Sequence, residues 1–182
     1  MKRLLCLIVV LQMLQPQPAL SIETLPRDIY LQQQESTSCT LCASTMMIRS
    51  FLYRNDTDWE AVTEEDVGTS AWTSEGLSWQ WEYIIGDHTV NISHESVSSL
   101  DQEKLKWILR EHPEGIVLYC GGSVHHGVFL IEYVDGNFYC ADPAIGYAGE
   151  KILLSQSLLA DRLGSQKDVL DAVTAYWYIE SR

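Results

Sequence analysis

The 182-residue chain is poor in positive charge: 12 Lys and Arg stand against 25 Asp and Glu, a net charge of −13. That excludes nucleic acid as a partner, because too few cations are present to displace counterions from phosphates. It argues equally against anionic membrane surfaces, and it is compatible with a cationic substrate as well as with plain solubility. Long hydrophobic runs are also missing. The longest apolar stretch, Leu4 to Leu14, is interrupted only by Gln12 and falls short of the roughly 20 residues that cross a bilayer as a helix. Cysteines are few. Five in the whole chain, one of them Cys6 inside that apolar stretch, do not make a disulfide scaffold, so a packed core must supply the stability. There is no internal repeat and no low-complexity block.

What is present begins with a leader-like segment. Lys2 and Arg3 precede the apolar stretch, and a Gln/Pro segment leads to Ala19-Leu20-Ser21. A charged start, a short apolar middle and a small-residue cleavage zone describe a secretory signal over residues 1–21. The expectation is an exported protein, secreted or extracytoplasmic, with no membrane span in the mature chain. Residues 22–182 then form one domain, the size expected of a single hydrophobic core. Loss of the leader removes two cations and no acid, so the remainder is more acidic still. Export permits a disulfide between Cys120 and Cys140, although buried free thiols are the default reading.

From Cys39 to Arg54, apolar residues recur with helical spacing, and Ser36, Thr37 and Ser38 are all N-cap types, so a helix is predicted to open near Cys39. Thr57 with Glu60 reads as a capping box for a second short helix, and a third is expected over 74–85. Strand character follows at 87–94, and a helix with Leu100, Leu105, Ile108 and Leu109 on one face at 99–111. Strands are expected at 115–120, 127–134 and 138–141, the last two joined across Asp135-Gly136-Asn137, a hairpin signal. A helix at 155–163 and a strand at 172–179 complete the pattern. Helices first and an antiparallel sheet second indicate an α+β fold with a cleft between the halves.

Candidate chemistry centres on a thiol. A cysteine attacks as thiolate, and a helix N-terminus with a nearby imidazolium favours that form. Cys39 is expected at such a place, with Cys42 as its rival. Gln33, six residues earlier, offers an amide to a developing oxyanion. His125-His126 precedes the strand Gly127–Val134, and only one of two adjacent strand residues faces a cleft. Asp142-Pro143 ends the paired strand, where a carboxylate can hold the imidazole as the third group of a triad. A two-residue turn at Asp135-Gly136 places Asp142 opposite Phe129, on the wrong face for His126. A three-residue turn places it opposite Leu130 and restores parity, with strand twist or a bulge still needed to close the diagonal. A zinc site built from Cys39, Cys42, Cys120 and Cys140 lacks the second short Cys-x-x-Cys knuckle usual for structural zinc. Trp72, Trp79 and Trp81, read on a helix, are core residues or, alternatively, the lining of a substrate cleft. Asn55-Asp56-Thr57 and Asn91-Ile92-Ser93 are glycosylation sequons, meaningful in a eukaryotic secretory route.

The segment Gln33…Cys39 with Ala43 and Met46 resembles the nucleophile helix of bacterial papain-like cysteine peptidases, in particular the group related to the double-glycine leader peptidases. The stretch from His126-Gly127-Val128-Phe129 through the hairpin to Cys140-Ala141-Asp142-Pro143 resembles that group's His/Asp hairpin. Gln, Cys, His and Asp occur in the family's order. The resemblance implies a papain-like fold, no cofactor and a peptide or protein substrate cleaved at an amide carbonyl. It makes Cys39 the nucleophile, His126 the base, Asp142 the orienting acid and Gln33 the oxyanion donor. One departure stands out: the family usually carries Asp-Cys-Gly at the nucleophile, and this chain carries Ser38-Cys39-Thr40. Two functions follow as expectations: an exported thiol-dependent hydrolase, and a catalytically silent relative that keeps the fold as a secreted binding module.

Overall fold

A computed structural model describes residues 24–180. The signal expected over residues 1–21 lies outside the described residues. Among the described residues there are five α-helices and nine strands, with short 3₁₀ turns at Arg27–Ile29 and Leu154–Gln156. Helix α1 (Cys39–Arg54) begins and ends where its periodicity predicts. It is buried nearly all round, Met46, Met47, Ile48 and Leu52 completely, and each such side chain contributes about 1.5–3 kcal/mol of burial. Such a helix is the centre of a core rather than a surface element.

Seven strands form one antiparallel sheet: β3 (Trp81–Ile85), β4 (His88–Ser96), β9 (Val173–Ile179), β5 (Ile116–Cys120), β6 (His126–Val134), β7 (Asn137–Ala141) and β8 (Ile152–Leu153), in that spatial order. Strand alternation divides the core in two. Val117, Phe129, Ala175 and Trp177 face α1 and α2 (Glu64–Ala71). Ile116, Leu118, Val128, Leu130 and Tyr176 face the residues of α3 (Gln102–Glu111), α4 (Leu158–Leu163) and α5 (Gln166–Asp171). The molecule is α+β as expected, but its helices cover both faces of the sheet. Two strands of this sheet, β3 and β4, also precede α3, so the helices-then-sheet order does not hold.

Three local expectations are corrected. Residues 57–62 form no helix. Helix α2 starts later, where the Thr63 side chain accepts a hydrogen bond from Asp66 N, so the effective cap is Thr63 and not Thr57. The segment 74–85 is not helical. It contains the end of a small hairpin, β1 (Trp72–Thr73) with β2 (Gly76–Leu77), and then strand β3. The two-period burial of Trp81 and Tyr83 decides the matter, helped by Gly86 at φ +54° in the turn to β4. Helix α5 and the short strand β8 have no counterpart in the sequence reading.

Candidate active site

Cys39 is the first residue of α1. Ser38 does not cap the helix: its hydroxyl donates to Glu35 O and accepts from Glu35 N. No acidic side chain occupies the first turn, so the positive end of the helix dipole is left to whatever anion forms there. The helix start rests on β6. A Cβ on Gly127 would lie 2.7 Å from Thr40 Cγ2, so the absence of a side chain at 127 is what lets the helix come this close. Thr40 therefore turns its methyl onto the sheet. The residue that departs from the family pattern is a packing residue of the helix–strand contact.

Strand β6 brings His126 to the same place. Its Nε2 donates to Asp142 Oδ1 at 2.7 Å, and the Cys39 side chain lies close enough to the ring to help raise the imidazolium. With Nε2 engaged, Nδ1 is the nitrogen left for sulfur. Asp142 is wholly buried and accepts two further bonds, from Ala144 N to Oδ1 at 2.9 Å and from Leu158 N to Oδ2 at 2.8 Å. The second donor is the first residue of α4. Three donors hold one carboxylate, the condition under which a buried anion is tolerated.

The parity question resolves in an unexpected way. The turn is two residues, Asp135 (φ +49°) and Gly136 (φ +87°), with Val134 paired to Asn137. The ladder then slips between Leu130 and Glu132, so Leu130 pairs with Cys140 and Phe129 with Ala141. Ile131 is the extra residue of a β-bulge. Continuing the register sets Asp142 opposite Val128, two residues from His126 and on its face. The expected three-residue turn is absent, and the bulge does its work.

Burial depresses the His126 imidazolium, but the hydrogen bonds and charges of Asp142 and Cys39 outweigh it and raise the group to about 9. The rival assignments separate. Cys42 is completely buried, and burial together with Glu64 pushes its thiol far above the ordinary range, which makes it a poor nucleophile. His125 is exposed, held at φ +46°, with Nδ1 3.0 Å from Tyr119 Oη. Cys120 and Cys140 are free buried thiols, Cys120 raised by burial to about 12. Among the described residues, no group of three or more His, Cys, Asp or Glu side chains is arranged to hold a metal ion.

Gln33 is tied to the same corner through its backbone, whose N–H donates to Pro143 O at 3.0 Å. Its side chain is turned to Glu35: Nε2 donates to Glu35 O at 2.7 Å, and Oε1 is buried without a partner. The structure thus brings Cys39, His126 and Asp142 together, and places Gln33 beside them with one amide proton engaged elsewhere.

Cys39 opens onto a groove of about 740 Å³ between the β1–β2 hairpin and the sheet, with Trp72, Leu77, Trp79, Tyr119, His125 and Trp177 among its lining residues. Of the three tryptophans read as helical core, only Trp81 is buried; Trp72 and Trp79 are 38% and 69% exposed. Alternation along 81–85 could have separated Trp81 from the other two. Tyr119 and Trp177 carry no signal in the sequence that marks them as groove residues. Among the described residues, no helix is long and apolar enough to cross a membrane. Compared with protein-family models, with curated proteins and with solved structures, the chain finds no match.

Proposed function

We propose that this chain is an exported thiol-dependent hydrolase of papain-like fold that cleaves a peptide or amide bond. One observation carries the reading: a cysteine opening an uncapped helix stands beside an imidazole that is bound to a buried carboxylate held by three donors. Structural ion pairs seldom combine a thiol, a helix start and a groove at one point.

The chemistry would run in two halves. The Cys39 thiolate attacks the carbonyl carbon, and the C=O π electrons move onto oxygen. Backbone N–H groups at the start of α1 are the donors at hand for that oxyanion, and the Gln33 amide would join them on turning away from Glu35 O. His126, protonated, delivers its proton to the leaving amine as the C–N bond breaks. A water then attacks the thioester, giving one proton to His126, and the carboxylic acid departs as the C–S bond breaks. Asp142 keeps the ring oriented and its cation stable throughout.

A second reading, the silent binding module, draws on Gln33, whose amide is bonded to Glu35 instead of aimed at the groove. A thiol-directed acylating probe separates the two. The hydrolase reading expects stoichiometric labelling at Cys39, lost in Cys39→Ala and in His126→Ala. Slow labelling of Cys39, insensitive to His126→Ala, would leave the binding module standing.

A further inference from the structure

The groove beside Cys39 has a lining that selects among occupants. Its aromatic surface is bare where a ligand would lie: Trp79 stacks one face on His94 at 4.9 Å and remains mostly exposed, and Trp72 is exposed on the facing hairpin. Glu75, on the turn joining β1 to β2, lines the same groove. Hydroxyls of Ser36, Thr37, Thr73 and Ser74 complete that wall. Glu75 is the one Asp or Glu in the lining among the described residues. No lysine or arginine lines this groove among the described residues.

The surface continues past Trp72 and Thr37 into a second depression of about 490 Å³. Glu35 and Glu65 stand exposed there, again with no cation in the lining. An anionic occupant is therefore repelled on a molecule of net charge −13. A purely aliphatic one would make no use of the Glu75 carboxylate. A flexible cation with an apolar stem fits both features. Its stem lies along indole faces, its head gains cation–π attraction, and a carboxylate stands beside it.

We infer that the groove takes a peptide carrying a lysine or arginine next to the bond presented to Cys39, with the cation seated between Trp72 and Trp79 against Glu75. This rests on the hydrolase reading for what the site does, and on the groove alone for what it binds.

The test reads binding in the Cys39→Ala chain, where turnover cannot interfere, by tryptophan fluorescence. The probes are three blocked hexapeptides identical except for a central Lys, Leu or Glu. The lysine peptide should bind about 10-fold tighter than the leucine peptide, the sum of a cation–π contact and a partly screened ion pair. The glutamate peptide should bind most weakly. Glu75→Gln and Trp72→Ala, both at exposed positions, should each remove most of the lysine preference, and added salt should weaken it. Leucine binding as tightly as lysine, a preference untouched by both variants, or no binding of the lysine peptide at millimolar concentration would each overturn the inference. Because binding is measured without the nucleophile, that failure is distinct from failure of the hydrolase reading, which His126-dependent labelling of Cys39 judges on its own.

Discussion

Asp142 is the residue on which the site's electrostatics turn. It accepts from His126, from Ala144 N and from the first N–H of α4. Asp142→Asn keeps the shape and removes the charge, and it points an amide N–H₂ toward one of those donors. The expected loss is about 1–3 kcal/mol of stability, the penalty for a buried donor left unsatisfied. The same change removes the main influence that raises His126 toward 9. The alkaline limb of Cys39 reactivity should then move down toward the ordinary imidazole range. Denaturant melts and a pH series of thiol labelling check the two effects separately; an unshifted limb would show that Asp142 acts on structure alone. Cys39, His126 and Asp142 were legible in the sequence because their chemistry is tied to residue type and chain order. The orientation of Gln33 was not, since an amide rotamer depends on which local carbonyl, here Glu35 O, lies nearest.

At the scale of elements, the contact that sets the site is α1 on β6. Gly127→Ala would drive a Cβ to 2.7 Å from Thr40 Cγ2. That methyl sits on a β-branched side chain in a buried helix and has little freedom to move. The expected cost is about 1–3 kcal/mol, with slower Cys39 labelling as the helix start is pushed from His126. Thr40→Ser deletes the offending methyl, and in the Gly127→Ala background it should restore much of both; the double-mutant cycle measures this coupling. Independent, additive effects would mean the two residues do not share the contact. Helix α1 was readable because its apolar period runs through sixteen residues. The segment 74–85 was misread because its aromatic residues satisfy helical spacing until the alternation of Trp81 and Tyr83 is given weight. The bulge at Ile131 leaves no mark in composition. It is a consequence of two registers, one set by the two-residue turn and one by the core, meeting in a single strand.

Over the whole molecule, the raised His126 links folding to pH. A group whose folded pKa exceeds its unfolded value stabilises fully below the unfolded value, near 6.5, and that contribution fades as pH rises through about 9. Stability should thus decline from pH 6.5 to 9. Above that, the buried Cys120 thiol and the half-buried Tyr30 phenol, each raised by desolvation to about 12, add to the decline. His126→Gln should flatten the lower window and leave the upper one; thermal melts of both proteins across pH 6 to 10 test this, and an unchanged lower window would contradict it. The two-faced covering of the sheet was hard to read in advance, because α5 and β8 are only six and two residues long and too short to show a period.

The central claim is that the Cys39 sulfur and the His126 ring act as one unit. Its most direct test is the rate of Cys39 alkylation by iodoacetamide as a function of pH, in the wild-type chain and in His126→Ala. The account predicts alkylation at pH 6 at least 10-fold faster in the wild type than in the variant, which lacks an imidazolium partner, and a wild-type profile that changes course where His126 loses its proton near 9. Superimposable profiles, both rising as for an ordinary free thiol, would contradict it.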